Sequence, residues 1–431
     1  MRVAYNILFA LFFWLSAPWY FLKLWRRGNW QAGFGQRFGR YGADIQAAGQ
    51  RPMVWLHAVS VGEVGVCLQL IRALEPRLAG FQIIVSTTTS TGMGELRRRL
   101  PPHIRAVYYP VDFPGVVRRA LNTIRPRAII LVEAELWPNL LWQAQERDIP
   151  LFLVNARLSD RSFKNYGRFA FLFRPIFSRF RAVGCQQAED AQRLVSLGFP
   201  AGFVRVVGNM KFDAAQPEAR PGLDVPELLG RLGVNNNAKL LVAGSTHAGE
   251  EAILAEMLPR LRRRFPELFL VLVPRHFERA KEVGQELAAR GVRFVYRSEI
   301  NGGTPSVPDR LECLLVNSTG ELKYFYEQAA LVFVGKSLTA RGGQNPIEPA
   351  ALGKAMVFGP NMQNFEAVAR AFLAEQAAIQ VRDAAGLEQA IAELLGDDGR
   401  RSELGARALQ VVRENLGATG RTVELIAERL G

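Results

Sequence analysis

Short, continuous apolar runs recur along this chain, separated by longer stretches whose apolar residues lie three and four apart. Runs of the first kind suit strands buried on both faces of a parallel sheet, and stretches of the second kind suit the helices that cover it. Met53–Val59, Gln82–Thr87, Ala106–Tyr109, Ala128–Val132, Leu151–Val154, Ala182–Gln186 and Val204–Val207 read as a first series of strands. Gly62–Leu78, Met93–Leu100, Gly115–Asn122 and Leu136–Arg147 read as helices between them. A second series reads as Lys239–Ala243, Leu268–Val273, Val292–Tyr296, Cys313–Val316, Leu331–Val334 and Ala355–Phe358. Ala214–Asn237 is rich in Pro, Gly and Asn and reads as a linker, and Ser402–Leu430 carries a long helical pattern able to pack back on the first domain. The expected fold class is α/β, with two doubly wound, Rossmann-like domains. Such domains bind ligands at the carboxyl ends of their strands, in the cleft between them.

The pattern at the N-terminus differs. Ala4 to Leu22 is almost wholly apolar, with Trp19, Tyr20 and Trp25 at its end and Lys23, Arg26 and Arg27 directly after. Its length approaches the ~20 residues of a spanning helix, and the aromatic and basic flank places the rest of the chain on the cytoplasmic side. A single span and a helix lying in the interface both fit, with Pro18 weighing against a straight span. A cleaved signal peptide does not fit, because only Arg2 precedes the apolar core and no small-residue cleavage site follows. The expected organisation is a membrane anchor over 1–27, an N-terminal domain over 28–213, a linker over 214–237, and a C-terminal domain with its terminal helix over 238–431.

Composition agrees with two domains: 431 residues, 49% hydrophobic. The 3 Cys and 4 His are scattered, so neither a disulfide framework nor a metal motif emerges, and the expected metal set is none. A net charge of +14 attracts anionic partners, whether nucleic acid, lipid or phosphorylated substrate. The basic residues are spread along the chain and no nucleic-acid module is recognisable, so nucleic acid is not an expected partner, although a membrane-tethered nucleic-acid binder is the competing class.

Several strand ends carry candidate chemistry. His57–Glu63 follows the first strand, with Glu63 in the first turn of a helix. There it either complements the helix dipole or serves as a general base. Ser86–Gly92 could bind phosphate or cap a helix. Glu133 and Glu135 end a buried strand, where carboxylates are costly unless paired or used. Asn155-Ala156-Arg157 ends a neighbouring strand, and Lys211 stands near the domain boundary, either solvated or neutralising an anion. In the second half, Ala243–Glu251 forms a turn able to hold phosphate, and Pro274 and Arg275 close a strand. Ser318, Thr319, Gly320 and Glu321 read as a capping box with exposed backbone. Gly342-Gly343-Gln344-Asn345-Pro346-Ile347-Glu348 follows an apolar strand. It reads either as a phosphate loop with Glu348 on a ribose, or as a capping box with Asn345 at the cap and Pro346 in the first turn.

Together W-L-H-A-V-S-V-G-E, E-A-E-L-W-P-N, N-A-R-L-S, G-N-M-K-F-D, S-T-H-A-G-E-E, L-V-P-R-H and G-G-Q-N-P-I-E, in order from about residue 53 to 365, resemble the bacterial 3-deoxy-D-manno-octulosonic acid (Kdo) transferases. The resemblance implies a GT-B glycosyltransferase of the bacterial inner membrane. It would be inverting and metal-independent, with no cofactor, CMP-Kdo as donor substrate and a lipid A precursor as acceptor. It implies Glu63 as general base and Glu135, with Glu133 and Lys211, as transition-state stabilisers. CMP would be held by Pro274, Arg275, Thr319, Gly320, Glu321, Asn345, Pro346, Ile347 and Glu348. Lys336, where a glycine is common, and Gln344, where a histidine is often found, depart from the family pattern. The alternative is another GT-B transferase that moves a UDP-sugar to a different lipid.

Overall fold

The computed structural model describes residues 2–26, 33–42, 45, 51–78, 80–133, 136–213, 223–235, 237–302 and 310–430. The chain forms two compact units, Met1–Ala214 with Leu416–Gly431, and Ala215–Asn415.

The first unit is built on β1 (Met53–His57), β2 (Gln82–Thr87), β3 (Arg105–Tyr108), β4 (Pro126–Val132), β5 (Leu151–Ala156), β6 (Ala182–Cys185) and β7 (Val204–Val206). The seven strands lie in the order β3-β2-β1-β4-β5-β6-β7, all parallel. Alternation along the strands divides the apolar side chains between two cores. Trp55, Ile129, Leu131 and Leu153 face one; Val54, Leu56, Ile130, Val132 and Phe152 face the other. A sheet buried on both faces explains why its strands read as unbroken apolar runs.

The second unit contains β8 (Lys239–Thr246), β9 (Leu268–Pro274), β10 (Phe294–Tyr296), β11 (Cys313–Leu315), β12 (Leu331–Val334), β13 (Met356–Phe358) and β14 (Ile379–Gln380). Their order is β10-β11-β9-β8-β12-β13-β14, again all parallel. Strand order reverses between β1 and β4 in the first sheet and between β8 and β12 in the second, where β11 also lies between β9 and β10. Two parallel, doubly wound units confirm the expected fold class.

Several elements depart from expectation. The two-residue β14 had no legible pattern. The expected linker contains a helix, Val225–Arg231, whose Val225, Leu228 and Leu229 are buried and whose first turn is capped by Asp224. The terminal helical pattern is two helices, Asp398–Asn415 and Ala418–Leu430, parted at Gly417, whose φ of +83° favours glycine. Asp213 accepts hydrogen bonds from the Gly417 and Thr419 N–H groups at 2.7 and 2.6 Å. Ala418, Val423, Leu425 and Ile426 then enter the core beside Val54 and Leu56. The last residues thus belong to the first unit, where a C-terminal domain running to residue 431 was expected.

The N-terminal apolar stretch is one helix, Arg2–Arg26, with Pro18 inside it. It docks on the first unit. The Tyr5 hydroxyl donates to Asp112 at 2.9 Å, Asn139 donates to Asn6 at 2.7 Å, and Phe9 meets Phe113 and Trp137 edge-on. Leu8, Leu11, Phe12 and Leu15 are exposed on the helix. Among the described residues no helix is long and apolar enough to cross a membrane, which corrects the single-span reading. Asn6 and Ser16 interrupt the apolar run, and part of its apolar surface is used against protein.

Candidate active site

In the first unit the candidate residues lie at the carboxyl ends of the strands, around the β1–β4 reversal. Ser60 caps the helix Val61–Leu74 by accepting from the Glu63 N–H at 3.2 Å, and the Glu63 carboxylate accepts in return from the Val59 N–H at 2.8 Å. Glu63 is thus a half-buried first-turn carboxylate with one oxygen fixed by the turn. The first-turn position is realised, and the bond from the Val59 N–H also orients the group at the ligand-binding edge.

Across the reversal, Glu133 directly follows β4 and is joined to Lys211 at 3.0 Å, both side chains about one-fifth exposed. Glu133 holds φ +66° and Asn155, the last residue but one of β5, holds φ +51°. Neither is glycine, so each stores conformational strain of roughly 1–3 kcal/mol. Asn155 is wholly buried and accepts from the Met210 N–H at 3.0 Å, while Asn209 accepts from the Lys211 N–H at 3.0 Å. Two strained strand ends therefore brace the loop that carries Lys211. Glu135 lies outside the described residues.

The Ser86–Gly92 turn is occupied by its own chain. Thr89 caps the next helix, and the Thr87 and Thr89 hydroxyls donate to the Val59 carbonyl at 3.1 and 2.9 Å. Ser86 receives Trp55 Nε1 at 2.7 Å and contacts His57 Nδ1 at 2.9 Å, and His57 stacks on Tyr109. That buried cluster stiffens the end of β1.

In the second unit a carboxylate of the chain joins the turn after β8 to the turn after β12. Glu250, 1% exposed, opens the helix Glu250–Arg264. Its carboxylate accepts from the backbone N–H groups of His247 (2.9 Å), Lys336 (2.7 Å), Ser337 (2.9 Å) and Leu338 (2.9 Å). Those N–H groups do attract an anion, and the anion is the chain's own. Gly335 makes this possible: a Cβ there would stand 2.5 Å from the Ser245 carbonyl oxygen, so the ends of β8 and β12 can close only over glycine. Glu250 was read only as part of a turn, although an acidic first-turn residue after a strand was visible.

Beside this strut, Arg275 follows β9, its N–H bonded to the Thr246 carbonyl at 3.0 Å. The helix Ile347–Ala351 begins one residue later than expected, so Pro346 occupies the cap position instead of the first turn. Asn345 accepts from the Ile347 N–H at 3.1 Å and donates to the Glu348 carboxylate at 3.0 Å. Burial pushes the Glu348 carboxyl up from its ordinary range, with Asn345 and the nearby Arg275 charge pulling against it. Arg275, Asn345 and Glu348 are thus one electrostatic group. Burial also lowers the His247 pKa, aided by Lys336 and by His276, whose ring lies 5.8 Å away. Glu321 stands at the N-cap position but makes no side-chain cap hydrogen bond. It precedes the helix Leu322–Gln328, and its carboxylate is gripped by Arg297 at 3.0 Å and by Ser318. Thr319 and Gly320 are exposed in the same turn.

Two seven-stranded doubly wound units with polar residues gathered at their strand ends define the GT-B class. Its fold is shared with the UDP-GlcNAc 2-epimerase of Neisseria meningitidis, whose structure bound to UDP-GlcNAc superposes with a TM-score of 0.58 at 14% identity, over 87% of this chain and 100% of that one. Residues 32–214 match the family described as 3-deoxy-D-manno-octulosonic-acid transferase (kdotransferase). The 3-deoxy-D-manno-octulosonic acid transferase of Bordetella pertussis is 34% identical over 96% of this chain and 97% of its own. That of Haemophilus influenzae is 32% identical over 91% of this chain and 90% of its own. The chain belongs to the Kdo transferase family, which are glycosyltransferases, and the membership expected from the motifs is borne out.

Proposed function

We propose that this chain transfers Kdo from CMP-Kdo to a lipid A precursor of the lipid IVA type, with inversion and without a metal or cofactor, using Glu63 as general base. The observation that carries the reading is the placement of Glu63 at the β1–β4 reversal, oriented by the Val59 N–H, in a chain of this family. An acceptor hydroxyl attacks the anomeric carbon of Kdo and its proton passes to Glu63. The new C–O bond forms on the face opposite the departing phosphate, and CMP leaves with its electron pair. Lys211 is suited to hold the Kdo carboxylate, in exchange with Glu133. Arg275, Pro274, the exposed turn at Thr319 and Gly320, Glu321, and the Asn345–Glu348 group are suited to hold CMP, with charge on its phosphate offset by Arg275. The exposed apolar side of the N-terminal helix and the basic net charge support work at the cytoplasmic surface of the inner membrane, with the helix in the interface.

The test is Kdo transfer from CMP-Kdo, generated in situ, to a tetraacylated lipid A precursor by wild type and Glu63→Gln. The expected result is product from wild type and a loss of about 10²–10⁴-fold in a folded variant. Equal rates would remove Glu63 from its role. No product from wild type, together with turnover of a UDP-sugar, would overturn the donor.

A further inference from the structure

A cleft of about 800 Å³ lies within the first unit, between the helix Arg2–Arg26 and the sheet edge. Phe9 and Phe13 of that helix, Phe34 and Phe38 at the two ends of the short helix Phe34–Arg37, and Phe113 and Trp137 line it. We propose that this cleft binds an acyl chain of the acceptor lipid, a proposal that rests on the acceptor named above.

The polar groups at the cleft explain the choice of an apolar occupant. Asp112 accepts from Tyr5 and from the Asn139 and Leu140 N–H groups. Ser16 donates to its own helix at the Phe12 carbonyl. Arg37 donates to the Thr88 carbonyl at 2.8 Å and lies 4.1 Å over the Tyr108 ring. Asp112, Ser16 and Arg37 already have protein partners, so a hydrocarbon chain leaves their hydrogen bonds intact, whereas a sugar or base would find few groups to bond.

Position identifies which hydrocarbon. Thr88 lines the cleft, and its neighbours Thr87 and Thr89 donate to the Val59 carbonyl. Val59 in turn orients Glu63. A chain lying in the cleft therefore leads its polar head toward the turn that carries the proposed base, with the Arg37 charge at the rim for a phosphate. A bilayer would instead meet the helix at Leu8, Leu11 and Leu15, which are exposed and do not line the cleft.

Trp14, Trp19 and Trp137 line the cleft, so 12-bromododecyl phosphate, used below its aggregation limit with the full chain, should quench tryptophan fluorescence. The expected result is saturable quenching, competed by tetraacylated lipid A precursor but not by inorganic phosphate. It should weaken at least about tenfold in Ala17→Phe, whose ring enters the cleft, and stay as in wild type in Leu8→Ser. If Ala17→Phe fails to fold, Ser16→Leu narrows the same cleft and should weaken quenching in the same direction. Quenching that does not saturate, or that is untouched by Ala17→Phe and lost in Leu8→Ser, means insertion into lipid aggregates and overturns the proposal. Kdo transfer without saturable quenching fails the cleft and keeps the proposed function. Saturable quenching without Kdo transfer does the reverse.

Discussion

Glu250 shows how a single side chain can take the place of a ligand. Four backbone N–H groups converge on its carboxylate, which ties the turn after β8 to the turn after β12. Glu250→Ala leaves those donors without an acceptor and should destabilise the second unit by at least about 3 kcal/mol. Glu250→Gln should fail as well, because its amide nitrogen would face N–H donors. Thermal unfolding and hydrogen exchange at residues 336–338 would check both, and an unchanged exchange rate in Glu250→Gln would refute the account. Glu133 presents the converse case. Its φ of +66° favours glycine, so Glu133→Gly should raise stability by roughly 1 kcal/mol while lowering Kdo transfer through loss of the Lys211 pair. Activity unchanged in a stabilised variant would make that pair structural. Sequence exposed Glu133 as an acidic residue ending a buried strand, but not its backbone strain, because φ depends on how β4 meets the next loop. The backbone N–H groups at 336–338 that donate to Glu250 are far away along the chain, so no local pattern could announce them.

The central strands were legible because they are buried on both faces, and an unbroken apolar run between turns has few other interpretations. The two-residue β14 lacked the length for such a signal, and the helix Val225–Arg231 was obscured by the Pro and Gly around it. The N-terminal helix was legible as a helix, but its docking was not. Docking depends on Asp112, more than a hundred residues away from Tyr5. Burial pushes the Asp112 carboxyl up from 3.8 to about 7, against the hydrogen bonds from Asn139, Tyr5 and Leu140. The folded unit therefore holds a proton that the unfolded chain releases near pH 4, and the contribution of Asp112 is fully present below that value. It declines as pH rises through about 7. Hydrogen exchange in residues 4–16, corrected for intrinsic rates, should show stronger protection at pH 5 than at pH 8. Asp112→Asn should flatten the difference, and a wild-type protection factor independent of pH would contradict the assignment.

At the scale of the whole molecule, the chain begins and ends in the same unit, with the second unit inserted between Ala214 and Leu416. The sequence hinted at this through a terminal helical pattern able to fold back, but the break at Gly417 and its capping by Asp213 are tertiary facts. The returning helix fills one of the two cores of the first sheet, where Val423, Leu425 and Ile426 are all but inaccessible. Burial of three such side chains contributes roughly 5–8 kcal/mol. Truncation after Asn415 should therefore destabilise the first unit and leave the second unit's unfolding in place. Limited proteolysis should release an intact fragment spanning residues 215–415 from the truncated chain, under conditions where the full chain resists cleavage. Asp213→Ala removes only the acceptor for two N–H groups and should lower stability by about 1–2 kcal/mol in the same unit. If truncation left the first unit's unfolding temperature unchanged, the terminal helix would be an appendage. The three buried side chains and the paired cap argue that it is part of the core on which β1 and its Glu63 turn are built.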